Sequence, residues 1–209
     1  MAGPDVVVIG GSAGGLKALR AILDSYGTVG NTVVVAVLHR SPQSSPLAEV
    51  LQAHSTIPVR EPTDSPWDCP VGGLTLAPAG YHLLVGNTRT LLTEAPTPVA
   101  TYRTGHGVRA HLTLDAPVCH SRPSIDVAFA SAAELVNPVT AVLLSCANED
   151  GVRGCEIVKS AGGRVVLQDP ASCEVPTAVE AALRRVTPDH IADPAGIGRW
   201  LSTMTGQES

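Results

Sequence analysis

The sequence is poor in aromatic residues, in charged residues and in long apolar runs. Aromatic side chains make up 3% of the 209 residues and charged ones 16%, whereas hydrophobic residues reach 44%. A disordered chain is excluded because such chains are rich in charge and poor in apolar residues. The core must consist of Val, Leu, Ile and Ala, and the length suits one α/β domain whose sheet is buried on both faces.

The chain also lacks an excess of positive charge. Its net charge of −5 excludes the basic surface that nucleic acids and anionic membranes attract. No apolar stretch approaches the roughly 20 residues of a membrane span, and the run at 6–10 is too short for a signal peptide. The five cysteines form no C-x-x-C pair and the histidines no H-x-x-x-H pair, so we expect no zinc or other metal, no cofactor and a reduced, cytoplasmic protein.

Strands alternate with helices along most of the chain. Residues 6–9 form a continuous β-branched run, followed by a glycine-rich turn and by helical spacing from Leu16 to Leu23. The same alternation predicts strands at 31–38, 139–144 and 164–168, and helices at 44–53, 123–135, 151–161, 176–185 and 194–203. We therefore predict an α/β fold with a doubly wound, mostly parallel, Rossmann-like sheet.

The middle of the chain has a different character. Pro, Gly and Thr become frequent from residue 57, and short apolar runs at 82–85 and 90–92 flank Gly86–Arg89. This pattern predicts a β-hairpin insertion with its turn at 86–89. Residues 94–121 show no clear period and are predicted to be a long, functional loop. Neither repeats nor a linker divide the chain, so we expect one domain over residues 1–209 with its core at about 5–190.

Three polar residues stand where strands of the predicted sheet end. Ser12 follows the first strand, His39 follows the second, and Asp150 follows the strand at 139–144 after a short loop. Ligands of such sheets bind at the carboxyl ends of the strands. A serine, a histidine and an aspartate together supply a nucleophile, a base and an orienting carboxylate.

The turn at Ser12 has two interpretations. Gly10-Gly11-Ser12-Ala13-Gly14 fits the G-x-S-x-G turn that exposes a nucleophilic serine, and the N–H after the serine is free to point at an oxyanion. The same glycines resemble a dinucleotide-binding turn, which needs an acidic residue where His39 stands. His39 favours the hydrolase, although Arg40 suits a phosphorylated ligand. His39 as an ordinary loop residue and Asp150 as a helix N-cap remain the simpler alternatives.

Five segments, in order, resemble the catalytic domain of the CheB protein-glutamate methylesterases. They are Val7–Gly15, Val37–Pro42, Leu76–His82, Ser121–Asp126 and Asn148–Gly154. The resemblance implies a cytoplasmic serine hydrolase that cleaves γ-glutamyl methyl esters on methylated chemoreceptors, or on another protein that carries them, and deamidates glutamine. By the same resemblance Ser12 is the nucleophile, His39 the general base and Asp150 the residue that orients it. Backbone N–H groups at Ala13 and Ala147 are the expected oxyanion hole.

Several departures from the family pattern lie near the expected site. Ser145–Asn148 stands where the family has T-G-M-G, Ala13 replaces a serine or threonine, and Glu174–Pro176 shortens a G-M-P loop. The first strand begins near Asp5, so we expect a stand-alone domain without the family's receiver. These changes predict an altered substrate pocket or reduced activity. The alternatives are a binding or regulatory module with the same fold and, less favoured, a nucleotide-binding protein.

Overall fold

A seven-stranded parallel sheet forms the centre of the fold. The computed structural model describes residues 3–27, 29–41, 45–92 and 101–205. The strands are β1 (Asp5–Gly11), β2 (Thr32–Leu38), β3 (Val59–Arg60), β4 (Trp67–Asp68), β5 (Leu74–Leu76), β6 (His82–Leu92), β7 (Thr101–Thr113), β8 (Val139–Leu143), β9 (Arg164–Gln168) and β10 (His190–Ala192). The large sheet has the order β10-β9-β8-β1-β2-β5-β3, and every pair in it is parallel.

Helices cover both faces of this sheet. They are α1 (Gly15–Ser25), α2 (Leu47–Gln52), α3 (Ile125–Ala132), α4 (Val152–Ser160), α5 (Thr177–Leu183) and α6 (Pro194–Thr205). Successive strand residues point to opposite faces, so Val7 and Ile9 pack with α1, α2 and α6, while Val6 and Val8 pack with α3, α4 and α5. The predicted doubly wound α/β fold is confirmed. Within the described ranges, each helix is too short or too polar to traverse a bilayer.

The strand order reverses at β1. The chain adds β2 on one side of β1 and later adds β8 on the other side, and Gly10 is paired with Val37 and with Leu143. The carboxyl ends of β2, β1 and β8 therefore lie side by side. Gly10 has no room for a side chain here, because a Cβ would collide with Ile125 at the start of α3. The close approach of α3 to β1 brings the helix N-terminus to the same edge.

The insertion is a β-hairpin, but its turn is not where the sequence pattern predicts it. Strand β6 runs straight through the predicted turn at 86–89, with only a register irregularity there, and pairs with β7 in a small antiparallel sheet that includes β4. The long loop predicted over 94–121 is thus wrong at Thr101–Thr113, while residues 93–100 lie outside the described ranges. Asn87 serves an anchoring role, since its side chain bonds Val136 N and Asn137 Oδ1.

Candidate active site

Ser12 lies in a tight turn between β1 and α1. Its backbone N–H donates to Ser145 O at 2.9 Å, and its carbonyl accepts from Gly15 N at 2.8 Å. Gly14 precedes α1 with a φ of 78°, and a Cβ there would lie 2.6 Å from Glu174 Cβ. Only glycine satisfies both constraints. The turn places half-buried Ser12 at the carboxyl edge of the sheet, as the G-x-S-x-G pattern predicts.

His39 and Asp150 form a direct pair at this edge. His39 follows β2, and its N–H donates to Gly11 O at 3.1 Å, which carries the pairing with β1 one residue further. The ring Nε2 lies 2.7 Å from Asp150 Oδ2, and the Asp150 side chain is fully buried. Two of the three predicted site residues are therefore in contact, although 111 residues of chain separate them.

The Asp150 carboxylate is held by the N-terminus of α3. Oδ2 also accepts from Ile125 N at 2.8 Å, and Oδ1 accepts from Asp126 N and from Ser124 Oγ, both at 2.9 Å. Burial alone would raise the Asp150 pKa, but the bonds to His39 and to these groups outweigh it and hold that pKa below its ordinary value. The helix dipole acts in the same direction. Asp150 is therefore an ionised group in a fixed orientation.

The pKa of the His39 ring is strongly raised. Its burial opposes protonation, but the hydrogen bond with Asp150, and then the nearby Cys146 thiol, outweigh burial and raise the His39 pKa to about 9. The contact with Asp150 therefore favours the protonated imidazole. An ion pair with Asp150 accounts for opposite shifts of the two pKa values.

The second ring nitrogen of His39 contacts Ser121 rather than Ser12. Ser121 Oγ lies 3.1 Å from Nδ1. Among the described residues, Ser12 Oγ and His39 form no hydrogen bond, although both line one cavity of about 310 Å³. Because Asp150 occupies Nε2, Nδ1 is the nitrogen that is left for a nucleophile. The sequence analysis did not predict the contact of Ser121 with His39. The one sequence feature that marks Ser121 is its position directly before the R-P-S motif at 122–124.

The two predicted oxyanion donors retain unpaired N–H groups. Within the described ranges, neither Ala13 N nor Ala147 N donates a hydrogen bond. Ala147 is exposed and Ala13 is half-buried. Ser145 fixes the surrounding backbone, since its Oγ lies 2.6 Å from Ala13 O and accepts from Val175 N at 2.9 Å. An oxyanion hole requires unpaired amides, so Ala13 N and Ala147 N stay candidates for that role.

His82, in the A-P-x-x-x-H segment, positions the chain segment at 116–124. It is 1% exposed; its Nδ1 accepts from Ser124 N at 3.2 Å, and its Nε2 donates to Ala116 O at 3.1 Å. The ring therefore holds the segment that carries Ser121 and Ser124 against the small sheet. Two residues of this segment, Cys119 and His120, have left-handed φ angles of 48° and 63°.

One group of potential metal ligands comes together in the described part of the chain. Atoms of Cys119, Asp126 and Asp150 lie within 4.8 Å of one another. Asp150 already accepts four hydrogen bonds, and Asp126 Oδ1 accepts from Gly151 N and Gly154 N at 2.9 and 2.7 Å. A cation at this place would have to displace bonds that hold α3 and α4 together.

Comparisons with known proteins find relatives of one family and a solved structure with a similar fold. A protein-family model described as CheB methylesterase matches residues 7–201. A putative protein-glutamate methylesterase/protein-glutamine glutaminase of Leptospira interrogans is 29% identical over 90% of this chain and 88% of its own length. An enzyme of the same name from Trichodesmium erythraeum is 32% identical over 80% of the chain but only 44% of its own length. The Thermotoga maritima CheB methylesterase catalytic domain matches with a TM-score of 0.83 and 25% identity, over 98% of this chain and all of that one.

Proposed function

Because this chain belongs to the CheB methylesterase family, a family of carboxylic ester hydrolases, we propose that it hydrolyses γ-glutamyl methyl esters on a protein substrate. Ser12 is the nucleophile, His39 the general base and Asp150 the orienting carboxylate. The observation that carries the proposal is the 2.7 Å contact between His39 Nε2 and the buried Asp150 carboxylate. The same histidine lines one cavity together with Ser12. A base oriented by a third group is the signature of covalent acyl transfer.

The chemistry follows from the two ring nitrogens. Ser12 Oγ forms a bond to the ester carbonyl carbon while its proton passes to Nδ1 of neutral His39. The carbonyl oxygen becomes an oxyanion that accepts hydrogen bonds from Ala13 N and Ala147 N in this proposal. The tetrahedral intermediate collapses, and Nδ1–H returns its proton to the departing methoxide, which leaves as methanol. Water then hydrolyses the Ser12 ester by the same sequence, and Asp150 holds the Nε2–H throughout.

The proposed reaction requires one exchange of hydrogen-bond partners at His39. Ser121 Oγ occupies the His39 Nδ1 that Ser12 must reach. Substrate binding therefore has to replace the Ser121 contact with a Ser12 contact. Such rearrangements are common, since catalytic hydrogen bonds often form only in the substrate complex.

The same site is suited to amide cleavage and to a protein partner. The relatives in Leptospira and Trichodesmium are named as glutaminases too, and glutamine deamidation uses the same steps with ammonia as the leaving group. By family resemblance, the partner is a methylated chemoreceptor or another protein with glutamyl methyl esters. All five cysteines are free thiols, which fits the reducing, cytoplasmic setting that we propose.

A fluorophosphonate probe tests the proposal directly. The wild-type protein should be labelled, and peptide mapping should place the adduct on Ser12. Labelling should disappear in Ser12→Ala and fall by several orders of magnitude in His39→Ala. Ser45→Ala, which alters another serine on the wall of the same cavity, should label like the wild type. An unlabelled wild-type protein would favour the non-catalytic binding module, and methanol release from a methyl-esterified glutamyl peptide would exclude that module.

A further inference from the structure

A second cavity, of about 410 Å³, lies beside the cavity of Ser12. The two cavities share His39 and Arg40 in their walls, and Ser12 lines only the first. The remaining lining residues of the second cavity are Gly80, Pro117, His120, Ser121 and Arg122. Four of its seven lining residues are basic and none is acidic, in a chain whose net charge is −5. The two arginines therefore carry a charge opposite in sign to the overall charge of the protein.

Part of this positive charge has no counter-charge. Arg40 pairs with Glu61 at 2.5 Å, and His39 pairs with Asp150. Arg122 donates only to the backbone carbonyls of Leu114 and Asp115, at 2.9 and 3.1 Å. Within the described ranges, neither Arg122 nor exposed His120 contacts a carboxylate.

The arginines also leave donors unused. The Nε atoms of Arg40 and Arg122 are buried and have no hydrogen-bond partner in the described part of the chain, and the Arg40 side chain is only 9% exposed. Buried donors without acceptors are rare in folded proteins. The buried Nε atoms are not accessible to a ligand, so the donors on the cavity wall are the other nitrogens of Arg40, Arg122 and His120. Such a wall is the chemistry that recognises carboxylates, which accept charge-assisted hydrogen bonds.

The first cavity has the opposite character. Leu16, Leu38, Pro46, Leu47 and Val50 line it together with Ser12, and such walls suit the methyl end of an ester. From these adjoining cavities we propose that the substrate carries a carboxylate close to its scissile ester, and that the cavity of Arg40, His120 and Arg122 binds this carboxylate. The proposal rests on Ser12 esterolysis, and it names the substrate class as an acidic peptide segment around the esterified glutamate.

Two matched peptides test the proposal. Both contain one γ-methyl-esterified glutamate, flanked on each side by glutamate in the first peptide and by glutamine in the second. The wild-type protein should cleave the acidic peptide with a kcat/KM about tenfold higher, mainly through a lower KM, because a charge-assisted bond is about twice as strong as a neutral one. Added salt should reduce the ratio, since these groups are partly exposed.

Variants locate the effect in the cavity. His120→Asn, which tolerates the left-handed backbone of residue 120, and Arg40→Gln should each lower the ratio towards one. Lys17→Gln removes an exposed cation that lies outside this cavity, so the ratio should stay at its wild-type value. A ratio near one in the wild type, or an equal fall in Lys17→Gln and His120→Asn, would overturn the proposal.

A binding experiment separates this proposal from the esterase reaction. In Ser12→Ala, calorimetry should show tighter binding of the acidic peptide than of the neutral one, with no hydrolysis needed. If the acidic peptide binds more tightly but the wild-type protein cleaves neither peptide, the carboxylate-binding cavity is supported and the proposed esterase activity is refuted. If both peptides are cleaved equally and bound equally, the esterase activity is supported and carboxylate binding in the second cavity is refuted.

Discussion

Replacing Ser121 with Ala removes the hydrogen bond between Ser121 Oγ and His39 Nδ1. Ser121 and Ser12 compete for this nitrogen, because Nε2 is committed to Asp150. The variant should therefore react faster at Ser12, even though it lacks a polar group of the site. We expect the rate of fluorophosphonate labelling to increase.

The size of the increase follows from a single half-buried contact of 3.1 Å. A net intramolecular hydrogen bond contributes about 0.5–1.5 kcal/mol. If that free energy must be given up before Ser12 reaches the base, its removal accelerates labelling by about two- to tenfold. The weaker contact of Ser121 Oγ with Cys119 O, at 3.5 Å, contributes little at that length.

The assay is the second-order rate of labelling above pH 9, where His39 is neutral. Ser121→Thr keeps the hydroxyl and should label at close to the wild-type rate. Ser45→Ala should also match the wild type, because Ser45 lines the cavity of Ser12 without a hydrogen bond to His39. Peptide mapping should find the adduct on Ser12 in every reactive variant.

Two results would refute this reasoning about Ser121. Slower or unchanged labelling of Ser121→Ala would show that Ser121 does not compete with Ser12. An adduct on Ser121 in the wild-type protein would show that Ser121, and not Ser12, is the nucleophile of His39.

Four further predictions concern the base His39, the carboxylate of Asp150 and the loop residue Ser145. Since His39 must be neutral to accept a proton and its pKa is raised to about 9, kcat/KM should rise with pH and level off above about 9; a plateau from pH 7 would contradict this assignment. Asp150→Asn should lower kcat by about 10⁴ through the wrong tautomer of His39, measured on the methyl-ester peptide, and a loss under tenfold would refute the orienting role. Asp150→Ala should lower the free energy of unfolding, measured in urea, by about 3 kcal/mol at pH 7. Because the pKa of Asp150 is depressed in the folded state, the difference in unfolding free energy between wild type and variant should shrink as the pH falls below 4. Ser145→Ala should cost about 2 kcal/mol in the same measurement, since it removes hydroxyl contacts to two segments, and no change would contradict that role.

The three site residues that the sequence predicts share one property. Ser12 and His39 directly follow strands whose continuous apolar runs can be recognised from the sequence alone. Asp150 follows such a strand after a short loop. Parallel strands that are neighbours in a sheet bring their carboxyl ends together, so the proximity of His39 and Asp150 follows from topology. Their 2.7 Å contact also depends on α3, whose N-terminal amides hold the carboxylate.

The parts that sequence reasoning missed depend on one-sided packing and on loop anchors. In β7, Val108 and Ala110 are buried while Arg109 between them is not, and the glycines at 105 and 107 interrupt that alternation. Ser121 lies in an aperiodic segment that other elements hold in place. Arg122 binds the carbonyls of Leu114 and Asp115, which brings the segment back on itself and Ser121 to His39. No local pattern encodes such a contact.

The loop at 145–148 bears on whether the altered sequence has disabled the site. The side chains that replace the family's glycines stabilise the loop: Asn148 Oδ1 accepts from Asp150 N at 3.2 Å and from Cys146 Sγ at 3.1 Å, and Nδ2 donates to Cys119 O at 3.0 Å. These bonds fix the backbone on both sides of Ala147, whose N–H has no acceptor among the described residues. An oxyanion donor gains from such preorganisation. The side chains at 146 and 148 therefore stabilise the loop and leave the Ala147 amide without an acceptor among the described residues, so we expect the contact between Ser121 and His39, rather than this loop, to limit the reactivity of Ser12.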